Sequence, residues 1–283
     1  MLNLKEKIDT TNQRMIVHRT KGHQHGPVTR LVSPGDLGEI IKPFVFLDAF
    51  DMDASRSNLF GYHPHSGIVT VTTIFEGNIE YEDSTGKAGL LTAGTVEWMQ
   101  AGGGVWHTTS PAIQAGARLR GFQLWLALPA SLENAAPESL YIEASEIPKI
   151  GPARVIIGEY QGAMSPLPQI SPITYLHVQL ADGEIWTFDP PAHHDVLWIA
   201  IGEGSISVSG EKISNEISIF DAGSTPLTVQ AHGEVNFVLG SAVQHPHPLI
   251  TGHYSVHTTD DALKIGEEGI KKVGKRLRAE GRI

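Results

Sequence analysis

The sequence contains no cysteine among its 283 residues. This absence excludes disulfide bonds, thiolate nucleophiles and every zinc site that uses cysteine ligands. It also suits a reducing compartment, and the polar amino-terminal stretch MLNLKEKIDTTNQRM lacks the apolar segment of a secretory signal. We therefore expect a cytoplasmic protein.

Basic residues and long apolar runs are scarce as well. The chain has 21 lysine and arginine residues against 31 aspartate and glutamate residues, which gives a formal net charge of -10. This balance argues against direct nucleic-acid binding, which needs a local basic excess. The longest apolar stretch, residues 122–128, is far too short to cross a bilayer, so no membrane association is expected.

Short stretches of β-forming residues dominate the pattern that is present. Thirty glycine and 17 proline residues separate segments rich in valine, isoleucine, threonine, phenylalanine and tryptophan, which is typical of antiparallel sandwiches and barrels. Helical periodicity is clear only near the end, where Ile270, Val273 and Leu277 form a stripe with basic residues on the other faces. We predict an all-β protein with a short C-terminal helix that is docked on the protein and has a solvated basic face.

The sequence also contains a weak internal repeat. Residues 74–81 (IFEGNIEY) resemble residues 201–208 (IGEGSISV), and LTAG ending at Gly94 resembles FDAG ending at Gly223. The nearly constant offset predicts two related β-domains, joined in the polar stretch 130–146. We place the first domain at residues 1–135 and the second at 136–283.

Two of the 14 histidines, His63 and His65, flank a proline just before a predicted strand. Residues i and i+2 of an extended segment point to the same side, so both imidazoles can face one metal ion. If the register continues without a bulge, Val69 and Val71 share that face. His107 follows a run of three glycines that lets the backbone approach closely. Three imidazoles would leave coordination positions open for water, dioxygen or substrate.

Other histidine pairs repeat this spacing in a different setting. His23 and His25, like His245 and His247, lie among turn-forming residues, and we expect them to be ordinary surface or loop residues.

The second copy of the repeat lacks the histidine pattern. His193 and His194 are adjacent, so on a strand they would point to opposite faces, and Asn236 stands where His107 would recur. No second metal site is predicted.

In these segments the sequence resembles the pirin family, within the cupin superfamily. The matching segments are 43–48 (PFVFLD), 63–67 (HPHSG), 70–72 (TVT), 75–77 (FEG), 81–84 (YEDS), 93–94 (AG), 97–99 (EWM), 101–104 (AGGG), His107 and 121–126 (GFQLWL). The resemblance implies a bicupin, that is, two stacked cupin-type antiparallel β-barrels, with one mononuclear metal site in the N-terminal barrel.

The resemblance also implies a ligand set, from which this chain departs. His63, His65 and His107 match the family's histidines, but Thr109 stands in place of the family glutamate. Loss of an anionic ligand weakens divalent binding, yet three imidazoles still suit transition metals. We expect one divalent transition metal per chain, most simply Fe, with Zn, Ni, Cu or Mn as alternatives. Glu97 is the nearest carboxylate in sequence, but its side of the strand is undetermined and it is not assigned as a ligand.

Two functions follow from the resemblance. The first is a dioxygenase acting on a small aromatic substrate, a quercetin-like flavonol or another planar phenolic, with no catalytic base identifiable. The alternative is a non-enzymatic regulatory or stress-related binding protein with a weakened metal site and a regulatory protein partner.

Among the tryptophans we expect Trp98 and Trp125 in the core, and Trp106, next to His107, as the candidate for a substrate pocket.

Overall fold

A computed structural model of the protein describes residues 14–53, 60–111 and 118–283. In chain order, the elements before residue 143 are β1 (Ile16–Thr20), β2 (His23–His25), β3 (Val28–Val32), α1 (Leu37–Ile41), β4 (Phe44–Asp53), β5 (Phe60–His65), β6 (Ile68–Glu76), β7 (Ile79–Asp83), β8 (Ala88–Leu91), β9 (Val96–Gln100), β10 (Val105–Pro111), β11 (Arg118–Ala127) and β12 (Glu138–Ile142). They are followed by β13 (Lys149–Ile150), β14 (Ala153–Ile157), β15 (Glu159–Tyr160), β16 (Ala163–Met164), β17 (Ile173–Leu180), β18 (Ile185–Phe188), β19 (Val196–Val208), β20 (Glu211–Ile213), β21 (Ile217–Phe220), β22 (Leu227–Ala242), β23 (Ile250–Thr251), β24 (Val256–His257) and α2 (Asp260–Ala279).

Three antiparallel sheets carry the architecture. A seven-stranded sheet with the order β12-β9-β6-β11-β4-β3-β2 and a four-stranded sheet with the order β5-β10-β7-β8 form the N-terminal part. A nine-stranded sheet follows the path β1-β21-β19-β22-β17-β14-β13, with β18 paired to β22 and β20 paired to β19. The prediction of an all-β, two-unit cupin-type fold with a C-terminal helix is confirmed.

The two halves exchange segments of chain. Strand β1, from the start of the described chain, pairs with β21 of the nine-stranded sheet. Strand β12, which lies in the expected join, pairs with β9 of the seven-stranded sheet. The division at residues 135 and 136 stays a prediction, and in the structure each half is completed by strand pairing from the other side of that division.

The seven-stranded sheet has one apolar face and one mixed face. Val71, Trp98 and Leu124 lie on the apolar face, in one core with Tyr175 and Trp198 of the C-terminal half. Burying side chains of this size contributes roughly 1.5–3 kcal/mol each, so this shared core is the main attachment between the halves. The opposite face of the sheet is turned toward the four-stranded sheet, and the space between the two sheets forms a cavity.

The register from β5 does not continue into β6, so the expectation that Val69 and Val71 face the same side as His65 is wrong. Both valines lie in the core shared by the two halves. The chain turns between the strands at Gly67, whose φ of 74° is a conformation that L side chains rarely adopt. This turn breaks the alternation on which the expectation depended.

Helix α2 begins after Thr259, whose hydroxyl accepts a hydrogen bond from the Ala262 amide at 3.1 Å. The predicted stripe lies on its less exposed side, with Leu277 fully buried. A Cβ atom on Gly266 would lie 2.5 Å from both Ser66 Oγ and His257 Nε2, so only glycine allows the helix to approach this closely. Neither helix in the described residues is long and apolar enough to cross a membrane.

Candidate metal centre

Two neighbouring antiparallel strands bring the three predicted histidines together. His63 and His65 lie on β5, His107 lies on β10, and His107 is the direct cross-strand partner of His63. The ring centroids are 4.4 Å apart for His63 and His107, 5.1 Å for His65 and His107, and 4.9 Å for His63 and His65. One ligand atom from each ring lies within 4.8 Å of the other two. Among the described ranges, this is the one group of three potential metal-ligating residues that meets this distance.

The Nδ1 atoms of the three rings face oxygen acceptors. His63 Nδ1 lies 2.7 Å from the Gly61 carbonyl and His65 Nδ1 lies 3.2 Å from the Tyr254 carbonyl. His107 Nδ1 lies 3.5 Å from Glu97 Oε1. A carbonyl oxygen can only accept, so Nδ1 of His63 and His65 carries the proton and the Nε2 lone pair of each neutral ring remains open.

The Nε2 atoms of His63 and His107 lie 2.9 Å apart. Two metal bonds of about 2.1 Å at about a right angle would hold nitrogens roughly 3 Å apart, so the spacing fits a shared cation. Burial, followed by the nearby His107, lowers the pKa of His63 to about 4. Burial and the two neighbouring imidazoles lower the pKa of His65 well below its ordinary value. The His63 and His65 rings are therefore neutral at ordinary pH, which is the form that binds metal. The three histidines fit a divalent transition metal.

The histidines open into a cavity of about 670 Å³ between the seven-stranded and four-stranded sheets. Part of its wall is aromatic: Phe46 and Trp125 stack with centroids 3.9 Å apart and planes 8° apart. Trp125 also meets His65 edge to face at 4.9 Å. The Arg30 guanidinium lies 3.9 Å over Phe46 and forms an ion pair with Asp48. A stack of aromatic rings thus extends from the histidines to a partly buried ion pair.

A C-terminal segment, residues 251–255, completes the wall of this cavity. Its Tyr254 provides the carbonyl that holds His65, and the Tyr254 ring lies 6.0 Å from the rings of both His63 and His65. This role could not be predicted from the sequence, because a backbone carbonyl leaves no signature in the residue type. The centre is therefore built from both halves of the chain.

Trp125, and not Trp106, is the tryptophan of the cavity wall. The Trp106 indole nitrogen donates to the Ile270 carbonyl of α2 at 2.9 Å, and its ring lies against Gly274. Its side chain is thus covered by the C-terminal helix. Trp98 is buried in the core as expected.

The other histidines do not join a group of this kind within the described residues. His23 and His25 are exposed on the three-residue strand β2. His194 contacts Ser241 at 3.0 Å, and Asn236 lies 2.7 Å from Nε2 of His177. His177, which no sequence motif marks, lies beside Asn236 in the C-terminal half.

Comparisons with known proteins agree with this geometry. The family model described as Pirin matches residues 27–126. A Caulobacter vibrioides pirin-like protein is 33% identical over 207 residues, which cover 69% of this chain and 71% of that protein. A Pseudomonas aeruginosa protein, provisionally named a quercetin 2,3-dioxygenase, is 30% identical over 238 residues, which cover 79% of this chain and 83% of that protein. The chain belongs to the pirin family.

Solved structures show the same fold at lower identity. A quercetin 2,3-dioxygenase from Acinetobacter baumannii superposes with a TM-score of 0.84 at 24% identity, covering 92% of this chain and 97% of that one. A bacterial pirin from Escherichia coli in complex with nickel(II) superposes with a TM-score of 0.64 at 17% identity, covering 82% and 98%. At these identities, the likeness supports the pirin and cupin fold of the chain and no more.

This pirin differs from the expected ligand pattern at Thr109, which follows His107 on β10 and lines the same cavity. Within the described residues, no carboxylate oxygen belongs to the group of ligand atoms. The nearest carboxylate in space that contacts a histidine of the group is Glu97, on β9. Strand alternation explains why the Glu97 side chain points to the histidine side of the sheet, because its neighbours Val96 and Trp98 face the shared core on the other side.

Proposed function

We propose that the protein is a mononuclear metal-dependent dioxygenase that acts on a quercetin-like flavonol or another planar phenolic. His63, His65 and His107 are the proposed ligands. The observation that carries the proposal is the opening of their Nε2 atoms into a cavity with a stacked aromatic wall. The names of the Pseudomonas and Acinetobacter proteins support the reaction class. A bound divalent metal would act as a Lewis acid that lowers the pKa of a coordinated phenol and binds its oxygen.

The cavity residues would position such a substrate. The stacked Trp125 and Phe46 rings form an apolar part of the wall beside His65, against which an aromatic ring system can pack. Gln123 and Thr72 provide polar atoms on the neighbouring strands of the same wall. Residues 251–255, from the C-terminal half, line the cavity next to the histidines, where they would limit the access of water.

No catalytic base is assigned. Asp48 is the one acid among the described residues that line the cavity, and Arg30 holds it in an ion pair. Burial raises the pKa of Asp48 above its ordinary value, although Arg30 opposes the shift. A carboxyl group held in this way is poorly placed to accept a proton from a substrate at the histidines.

The proposal is tested by turnover of quercetin after anaerobic loading of metal-free protein with Fe²⁺, Ni²⁺, Cu²⁺ or Mn²⁺. We expect the flavonol absorbance to decrease only when both metal and dioxygen are present, and His107→Ala to abolish the decrease. His23→Ala is the matched control, since His23 has the same His-x-His spacing but is exposed on β2. Absence of metal-dependent loss of absorbance with all four metals would exclude the proposed activity for quercetin.

One observation, Thr109 in place of the family glutamate, favours a second function, that of a non-enzymatic binding protein. A ligand group without a carboxylate is the arrangement expected of a regulatory binding protein with a weakened metal site. Metal analysis of the isolated protein, before and after reconstitution, separates the two functions. A protein without metal in both measurements would favour the binding role, and stoichiometric metal that requires His63 and His107 would favour the enzyme.

A further inference from the structure

Glu97 lies directly behind His107 in the candidate centre. Its side chain is completely buried in the middle of β9, and its Oε1 atom is 3.5 Å from His107 Nδ1. Neither of these two buried atoms has a hydrogen-bond partner within the part of the chain that the structure describes. A movement of about 0.5 Å would bring the pair into the range of an N–H···O hydrogen bond. Each atom is therefore the available partner of the other.

The second oxygen of Glu97 is held by the sheet. Oε2 accepts a hydrogen bond from the Thr72 hydroxyl, which also contacts the Gln123 side chain at 2.8 Å. Thr72 is the direct cross-strand partner of both Glu97 and Gln123. These contacts fix the carboxylate on the side of His107 away from the Nε2 atom, and Glu97 is not a member of the group of converging ligand atoms.

The burial of this carboxylate calls for a hydrogen-bond donor as its partner. A buried carboxylate is costly unless it is paired and hydrogen-bonded. Within the described residues, the ion-pair contact of Glu97 is to His107, and no lysine or arginine lies within the same distance. A carboxylate that accepts from the outer nitrogen of a metal-binding histidine fixes its tautomer and makes its inner nitrogen a stronger ligand.

We propose that Glu97 supplies, through His107, the negative charge that Thr109 does not provide to the metal centre. Glu97 is a positioning residue: it holds His107 as the Nδ1–H tautomer, so that Nε2 faces the metal. The inference rests on the proposed metal site and is independent of the proposed dioxygenase activity, because its test measures metal binding.

The test is a competition titration of Ni²⁺ against a chromophoric chelator, with metal-free wild-type protein and four variants. We expect Glu97→Gln to weaken Ni²⁺ binding by about 10–100-fold. Thr109→Glu, which places a carboxylate on the cavity wall, should restore much of this loss in the Glu97→Gln background and strengthen binding alone. Glu80→Gln, on the exposed face of β7, is the control for removal of one negative charge and should bind like wild type.

The outcomes separate this inference from the proposed function. If wild-type protein binds Ni²⁺ and a folded Glu97→Gln variant binds it equally well, the role of Glu97 is overturned while the metal site stands. If wild-type protein does not bind any of the transition metals, the proposed function and the inference fall together.

A second measurement does not depend on the folding of any variant. The ¹⁵N chemical shifts of His107 in Zn²⁺-loaded wild-type protein report which ring nitrogen carries the proton and which binds the metal. The expected result is the Nδ1–H tautomer, and an Nε2–H tautomer would overturn the proposal. A structure of the Ni²⁺-loaded protein with a Glu97 oxygen bound directly to the metal would likewise overturn the positioning role.

Discussion

The Ser66 hydroxyl and His257 Nε2 lie 2.9 Å apart in a fully buried contact. Ser66 also donates to Ser255 Oγ at 2.8 Å, and His257 Nδ1 lies 3.4 Å from Glu133. Glu133 in turn accepts two hydrogen bonds from Thr258, at 2.6 and 2.7 Å. Although the order serine–histidine–glutamate is that of a catalytic triad, α2 covers the serine. The arrangement ties the C-terminal segment to the residue that directly follows His65.

This network should be important for stability. We expect His257→Ala to lower the free energy of unfolding by about 2–4 kcal/mol, because it leaves a cavity and removes the His257 contacts of the buried Ser66 hydroxyl and the buried Glu133 carboxylate. Urea denaturation measures the change. His232→Ala is the matched control, since His232 forms an exposed histidine–serine contact with Ser207 at 2.5 Å, and its loss should cost no more than about 0.5 kcal/mol. Equal effects of the two substitutions would contradict the assignment.

The close approach of α2 gives a second prediction. Alanine favours a helix over glycine by about 1 kcal/mol, but a Cβ at Gly266 would lie 2.5 Å from both Ser66 Oγ and His257 Nε2. We therefore expect Gly266→Ala to destabilise the protein by about 1–3 kcal/mol through overpacking. Thermal unfolding measures the loss, and a change in the total tryptophan fluorescence, to which Trp106 contributes from its contact with α2, reports whether the helix has moved away. Lys272→Ala, on the exposed face of α2, should leave both unchanged.

Stability should fall in mild acid because of His177. Its ring is buried, stacks on Phe75 with centroids 4.3 Å apart, and its Nε2 lies 2.7 Å from Asn236. Burial lowers the pKa of His177 from 6.5 to about 4, so the unfolded chain binds the proton more readily than the folded protein. The contribution of neutral His177 to the free energy of unfolding is fully present above pH 6.5 and is lost as the pH falls toward 4.

The magnitude of this loss follows from the size of the pKa shift. A difference of about 2.5 pH units corresponds to at most about 3 kcal/mol for one histidine. Urea midpoints of metal-free protein at pH 7.5 and pH 4.5 measure it, and His177→Gln should show a smaller difference between the two pH values. A variant with the wild-type pH dependence would show that other buried histidines account for the loss.

The sequence was sufficient to predict that His63, His65 and His107 come together, and much of the reason is local. Residues i and i+2 of one strand share a side, and the glycine run before His107 marks a strand that approaches closely. The parity argument failed for Val69 because a single turn at Gly67 resets the alternation. Strand alternation within β9 does predict the side of Glu97, but only once Val96 and Trp98 are known to face the core.

Other parts of the site depend on contacts that sequence patterns do not carry. The carbonyl that orients His65 belongs to Tyr254, far away in the chain, and any residue type could supply it. Trp106 is adjacent to His107 in the sequence, but the docking of α2 on Trp106 removes it from the cavity, and Trp125 lines the wall instead. Long-range packing therefore determines the surroundings of the three histidines, and local periodicity indicates which histidines can converge.

Substrate binding should depend on the aromatic wall. Trp125 stacks on Phe46 and meets His65 edge to face, so its ring is the part of the wall nearest to the proposed metal. If a planar phenolic lies on this surface, Trp125→Leu removes aromatic contact of about 0.5–1.5 kcal/mol beyond the buried area, and KM for quercetin should rise several-fold. Trp125→Phe is the matched control, because it retains an aromatic face and should retain most of the affinity. Ni²⁺ affinity should be the same in both variants, since Trp125 is not a ligand. A KM that responds equally to leucine and phenylalanine would place the substrate elsewhere in the cavity, whereas a loss of Ni²⁺ binding would show that the ring supports His65.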